Sequence, residues 1–495
     1  MRHILIVFNF FLSLSCLAYK SEVFALSPHE ALQMPVQAQT APPRTPDLQL
    51  PASFTSVVSR DWAAANVSSS LAAKKQPDHS LKTIWVRMFP LATVPINDPY
   101  PVTVDLNKID IENAAGLAIY NLETQALLGN TTALHLDFGK TAFKIGSRSF
   151  ALQKLWIVPA GTLSTLRWDK GQVTDTGTKA DVGVSVRGEF VVKQTMYDVD
   201  ALGKPHFTPS ASPRQLWSVI NVIDINKYIE SVVPSEVIAS WSTETLKAQA
   251  IAARTYGMFE VAEARTNGID WDVDPSTWYQ SYRGVEFYDR MRRQWSKVEQ
   301  PATTAACNAT ANEVITYRGS IIKAYFSANS GGVTCTVSEC FSLPDQPYLL
   351  QVNDAADVRT QPGGTWGDKA TLTPANIKAK MLEGGVSTTG TVSHIEALSH
   401  GPSGRTWTLR VHLTTGSPID LDNLQSRKIM HLFGPVRSFL YTLGAMRGGT
   451  QAITGHGFGH GVGLSQWGAQ SFANQGWDAH KILTHYYGGV SVTKL

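Results

Sequence analysis

Three clusters of residues carry groups able to do chemistry. The first is Val232-Val233-Pro234-Ser235-Glu236, followed by a segment holding Lys247, Gln249, Arg254 and Tyr256. Pro234 and Ser235 suit the start of a helix, with Glu236 in its first turn. A helix N-terminus favours an ionised carboxylate, while the apolar neighbours Val232, Val233 and Ile238 disfavour the charge by desolvation. If desolvation wins, Glu236 is a general acid; if the dipole wins, it is a capping carboxylate. The second cluster, Ser327 to Thr334, is small and polar and follows an apolar run. It reads either as a loop offering backbone N–H groups to a sugar or an anion, or as an ordinary turn. The third is Gly455 to Gly468, with five glycines among residues 455–463 and two histidines, His456 and His460. That glycine density forbids a helix, so the four-residue His spacing does not give a helical zinc pair. One His bonding a substrate or orienting a carboxylate is the reading preferred over metal, beside a plain structural loop.

The cysteines leave alternatives open. In an exported chain Cys335 and Cys340 would be able to form a disulfide, with Cys307 unpaired. A Cys₂His₂ zinc site with His456 and His460 lacks a standard ligand spacing, and nothing around any Cys marks a nucleophile working with His460.

These clusters need elements to hold them. From Lys82 to Ile223 the chain reads as β-rich, with strands expected at Thr83–Phe89 and, by alternation, at Val182–Val192. Leu216–Ile225 is a continuous apolar run that fits a buried strand. Ser242 and Glu244 open a helix whose small residues Ala250, Ala253 and Gly257 share a face with Leu246; it should end near Arg265, before Asn267-Gly268. Val314–Tyr317, a turn at Arg318-Gly319, and Ile321–Phe326 read as a hairpin. Phe287–Val298 is basic and aromatic, read first as a solvated helix and second as a glycan contact. Ala479–Tyr487 reads as a short helix stopped by Gly488-Gly489.

The 495 residues, with 43 Lys plus Arg against 40 Asp plus Glu and a net charge of +3, exclude a polybasic nucleic-acid coat. A hydrophobic fraction of 43% supports real cores, and 4 Cys are too few for a disulfide scaffold. Residues 1–25 read as an export signal: Arg2 and His3, then an apolar run from Ile4 to Leu14, then small-residue cleavage options. An uncleaved membrane anchor is the alternative, and Cys16 a lesser lipoprotein option. Residues 26–81 form a Pro/Ala/Gln-rich tether. Residues 82–215 form a β-rich N-terminal part and 216–495 the catalytic part, with a soft boundary, since strands on either side would be able to share one sheet. The expected class is α+β, with β-rich elements packed against a helix-containing region.

Taken in order, these segments resemble the stage II sporulation protein D (SpoIID/LytB) family, whose members include peptidoglycan lytic transglycosylases. Val233-Pro234-Ser235-Glu236 is similar to its V-P-x-E-M segment, with Val237 where Met is common. Leu246 to Tyr256 resembles its L-K-A-Q-A-x-A-A-R-T-Y helix, Gln280 to Gly284 its Q-x-Y-x-G, Ser330 to Thr334 its S-G-G-x-T. His456 to Gly468 resembles the glycine-rich loop and Leu483 to Gly488 the closing L-x-x-Y-Y-x-G. The resemblance implies that Glu236 is the acid/base of a cut between N-acetylmuramic acid and N-acetylglucosamine. One group alternating roles suffices where the muramic acid 6-hydroxyl attacks within the substrate, whereas the usual hydrolytic routes need two carboxylates. It further implies a substrate-binding set of Arg254, Gln280, Tyr282, Ser330, Gly331, Gly332, Tyr348, His460, Ser465 and Gln466. No cofactor is implied. The partners would be glycan strands stripped of peptide and a cell-wall amidase, with no nucleic acid, and a membrane only if the signal is uncleaved. The expected location is the periplasm, cell envelope or exterior. Some family members carry a Cys/His zinc cluster ahead of Q-x-Y; Val273, Trp278 and Tyr279 stand there, so no catalytic metal is expected. The alternative function is a non-catalytic glycan binder that stimulates an amidase.

Overall fold

The computed structural model describes residues 76–80, 82–89, 104–170, 182–199, 205–206, 214–275, 279–289, 294–367, 372–434 and 436–495. The export signal and nearly all of the tether lie outside these. The chain divides into two compact units: one ends at Lys323 and takes back Ser491–Leu495, and the other is Ala324–Val490. Mixed strands and helices make the class α+β, as the sequence pattern indicates.

The first unit is built on an antiparallel sheet. Its strands run in the order Thr83–Phe89, Arg214–Asp224, Glu189–Val199, Leu155–Pro159, Val104–Asn121, Ser164–Lys170, Val182–Val186, Glu286–Asp289, Gln294–Lys297. Arg214–Asp224 pairs along its length with Glu189–Val199, so one sheet runs across residue 215 and the chain divides at residue 323 instead. Alternation puts Trp85, Ile220 and Val222 on one face, packed with Trp156, Val191 and Trp271, while Ile84 and Val86 are buried on the other. The run Val182–Val192 is two strands, not one. The break is at Arg187-Gly188: Gly188 has φ +94°, and a Cβ there would sit 2.2 Å from Val222 O.

Asp224 ends the sheet strand and caps helix α1 (Ile225–Glu236), accepting from Asn226 N at 2.9 Å and Lys227 N at 3.2 Å. α1 is therefore already ten residues old at Pro234, which lies inside it and not at its start. Helix α2 (Thr243–Thr266) follows Ser242 as expected and ends at Asn267; from Thr245 to Met258 it is buried at every position except Lys247. Its alanines allow that close packing on all sides. Helix α3 (Pro301–Ala309) follows. Glu313–Tyr317 turns at Arg318-Gly319, both with positive φ, into Ser320–Ile321, and on its other edge pairs with Ser491–Lys494. The returning arm is two residues long; Phe326–Ser327 pairs elsewhere, in parallel with Leu464–Ser465. The stretch expected as a solvated helix at 287–298 is a β-hairpin, Glu286–Asp289 with Gln294–Lys297. Its aromatic residues stabilise cross-strand contact: Tyr288 lies opposite Trp295, rings 6.0 Å apart.

In the second unit, α4 (Val337–Phe341) follows the Ser330–Thr334 loop. Residues 365–456 form two three-stranded antiparallel sheets with α5 (Pro374–Glu383) and α6 (Asn423–His431), around Leu372, Ile395, Leu409, Val411, Met430 and Ile453. α7 (Gln466–Asn474) and α8 (Ala479–Tyr486) close the unit. Among the described residues no helix is long and apolar enough to cross a membrane.

Candidate active site

Glu236 is the last residue of α1, not a first-turn residue, and is 3% exposed. It thus sits at the negative end of the helix dipole, the reverse of the sequence expectation. The reason lies upstream: the cap is Asp224, so Pro234 falls in the last turn of the helix rather than at its start. The backbone N–H of Ser281 donates to Glu236 Oε1 at 2.7 Å and offsets that unfavourable end.

The segment that supplies this bond is Gln280–Gly284. Ser231 Oγ of α1 donates to Gly284 O at 2.6 Å, and Tyr282 OH donates to Asn221 Oδ1 at 3.0 Å. The Tyr282 ring packs 5.0 Å from Tyr228, and burial holds both phenols above their usual titration range. Gly284 has φ +70°, and a Cβ there would lie 2.4 Å from Ser185 O, so only glycine fits. Gln280 is 1% exposed, and neither end of its amide has a hydrogen-bond partner among the described residues.

Arg254 is fully buried, and its guanidinium is committed to the protein. Nε donates to Asn226 Oδ1 at 2.9 Å, Nη1 to Glu313 O and Nη2 to Cys307 O, both at 3.1 Å. It braces α2 against α1, α3 and the Glu313 strand. Burial lowers its pKa to about 10, which leaves it a cation at neutral pH.

The other sequence-marked residues belong to the second unit, where the structure interlocks them. Ser330 Oγ donates to Asp354 Oδ2 at 2.5 Å, and Ser330 N to Ser465 Oγ at 3.2 Å. Ser465 also caps α7 through Gly468 N, and Gln466, the next residue, is buried. The N–H groups of Gly331 and Gly332 go to Asn329 Oδ1 and Ser330 Oγ, at 2.8 and 3.1 Å. Those two amides therefore hold the loop itself. Asn329 and Phe458 exchange backbone bonds, joining this loop to the glycine-rich one. Tyr348 is buried and its carbonyl accepts from Gly488 N at 3.0 Å, which ties it to the closing motif.

His460 has its ring 5.1 Å from Phe341 and 5.9 Å from Tyr325, and its Nδ1 accepts from Val462 N at 3.0 Å. Desolvation pushes its pKa down to about 3, so it is a neutral imidazole. His456 Nδ1 instead lies 3.2 Å from Thr365 Oγ1. Cys335 and Cys340 form a disulfide, which removes the Cys₂His₂ zinc alternative. Cys307 is buried and its thiol is pushed up to about 12, which removes the cysteine-nucleophile alternative. Among the described residues no group of three or more His, Cys, Asp and Glu is placed to hold a metal.

Two participants escape sequence reasoning. Ser281 acts through its backbone, at a position where the motif leaves the side chain unspecified. Asp354, which also accepts from Tyr486 OH at 2.5 Å and Ala355 N at 2.7 Å, stands in no motif; its partners come from three separate stretches of chain.

Residues 214–317, which include Glu236, Arg254 and the Gln280–Gly284 segment, match the family described as SpoIID, stage II sporulation protein. Residues 365–463 match a domain of unknown function (DUF8618). An uncharacterized protein of Brachyspira hyodysenteriae is 33% identical over 320 residues, covering 63% of this chain and 78% of that one. Stage II sporulation protein D of Bacillus amyloliquefaciens is 30% identical over 279 residues, covering 55% of this chain and 75% of its own. The amidase enhancer of Bacillus subtilis is 28% identical over 307 residues, which are 54% of this chain but only 40% of the enhancer. With the Glu236 segment inside the matched span and three-quarters of a named member covered, the chain belongs to the stage II sporulation protein D family.

Proposed function

We propose that this protein is an exported cell-wall enzyme, a lytic transglycosylase that cuts glycan between N-acetylmuramic acid and N-acetylglucosamine. The observation that carries the reading is Glu236: a buried carboxyl at a helix end, with Oε1 fixed by Ser281 N–H, inside the family-matched span. Fixing one oxygen orients the carboxyl for proton transfer. In this reaction Glu236 gives its proton to the glycosidic oxygen as the C1–O bond of the muramic acid residue breaks. The resulting carboxylate takes the proton of the 6-hydroxyl as O6 bonds to C1. The 1,6-anhydro ring closes, the proton count balances, and no second carboxylate is needed.

A second reading, glycan binding that stimulates a wall amidase, draws on the relative named amidase enhancer. Both are decided by mass spectrometry of products from peptide-free glycan strands. The expected result is 1,6-anhydro ends from the wild type and a loss of about 10²–10⁴-fold in rate for Glu236→Gln. Reducing ends, or cutting retained by the variant, would overturn the mechanism. Binding without cutting by the wild type would favour the amidase-helper role.

A further inference from the structure

Arg405 lies within the stretch matched to the domain of unknown function and stands in no motif. It is 1% exposed. Its Nη2 donates to Ser330 O at 2.8 Å, and its Nη1 to Val333 O at 3.1 Å and Ser403 Oγ at 2.8 Å. One planar guanidinium thus grips two carbonyls three residues apart in the Ser330–Thr334 loop. It also lies against the glycine-rich loop: a Cβ at Gly461 would sit 2.1 Å from Nη2, and Gly461 has φ +80°. Ser403 is held in turn by Glu339 Oε1, which accepts from Ser403 N at 3.1 Å and Ser403 Oγ at 2.6 Å. Glu339 is 1% exposed and sits on α4, which the Cys335–Cys340 disulfide closes. Cys335 N donates to Gly461 O at 2.9 Å, so the far side of the same clamp is also fastened to the glycine-rich loop. A lysine cannot reproduce this grip, because a single ammonium lacks the rigid fork that reaches both carbonyls.

We propose that Arg405 is a positioning residue for a glycan-binding surface made by the Ser330–Thr334 and Gly455–Gly463 loops. On this assignment the domain of unknown function is an integral part of that surface rather than an independent module. The clamp rests on geometry alone; its consequence for glycan rests on the function proposed above.

The test compares full-length wild type, Arg405→Met and Arg405→Lys by amide hydrogen exchange and by steady-state cleavage of peptide-free glycan. In Arg405→Met, amides of residues 330–334 and 456–463 should exchange at least about tenfold faster while the strands of the first unit are unchanged. KM should rise about tenfold with kcat within about twofold, because Glu236 stands in the other unit, and Arg405→Lys should fall between. Loop exchange and KM as in wild type would overturn the proposal. So would a lower melting temperature with unchanged KM, which marks a structural brace only. If Arg405→Met does not fold, Arg405→Lys carries the same two outcomes. If the wild type neither cuts nor binds glycan, the functional reading fails while the exchange measurement still decides the clamp.

Discussion

At the residue scale, two buried side chains show how burial decides chemistry. Arg254 satisfies an amide oxygen and two backbone carbonyls from three elements. Arg254→Met should therefore cost about 3 kcal/mol in denaturant unfolding, since it leaves buried acceptors without donors. If Arg254 instead gripped substrate, the variant would keep its stability and lose affinity. His460 gives a pH signature. It stays neutral in the fold down to about 3, whereas an unfolded histidine takes up its proton near 6.5. The unfolded chain then binds more protons between those values, so this contribution is complete above about pH 6.5 and is lost as pH falls toward 3. Unfolding free energies measured from pH 7 to 4 should show a shallower slope for His460→Asn than for wild type.

At the element scale, α1 and the Gln280–Gly284 segment work as a pair. α1 delivers Glu236 at its C-terminal end, and the segment delivers Ser281 N–H. Gly284 anchors the segment against the sheet, at a positive φ and close to Ser185 O. Gly284→Ala should cost about 2–3 kcal/mol in thermal unfolding, from backbone strain together with the clash. The folded fraction should also cut glycan more slowly, because Ser281 moves with the segment. An unchanged rate in that fraction would remove Ser281 from the account of the site. The hairpin at 286–297 shows why composition misled here: a basic, aromatic run fits a helix surface and an edge strand equally well. Pairing of Glu286 and Phe287 with Ser185 and Val184 decided it.

At the scale of the whole molecule, the residues marked by sequence fall into two sets. Glu236, Arg254, Gln280 and Tyr282 belong to the sheet-based first unit; Ser330, Gly331, Gly332, Tyr348, His460, Ser465 and Gln466 belong to the second. In the second unit the Cys335–Cys340 disulfide closes a short loop beside the interlocked glycine loops. Replacing both cysteines by serine should cost that unit about 2 kcal/mol, the chain-entropy value for so short a loop. Denaturant unfolding followed by a probe in the second unit checks this, and a transition unmoved by the double substitution would mean that the surrounding hydrogen bonds alone set its stability.

The sequence by itself determined the fold class, several of the local elements and the family. A continuous apolar run placed the strand before Ile225, and small-residue spacing the buried helix after Ser242, because both are one-dimensional signals. The motifs singled out Glu236 and its neighbours for the same reason. What only the tertiary structure decided was where each polar group spends its hydrogen bonds. Pro234 and Ser235 read as a helix start, but the Asp224 cap, ten residues upstream, puts them at the end. The Ser327–Thr334 loop read as a donor of backbone N–H groups or as an ordinary turn; the side chains of Asn329 and Ser330 claim the N–H groups of Gly331 and Gly332. Arg405 read as nothing, because its partners at Ser330 and Val333 lie more than seventy residues away and are backbone carbonyls, which every residue carries. Capping and long-range hydrogen bonding depend on which segments meet, and that is fixed by packing rather than by the identity of the residues alone.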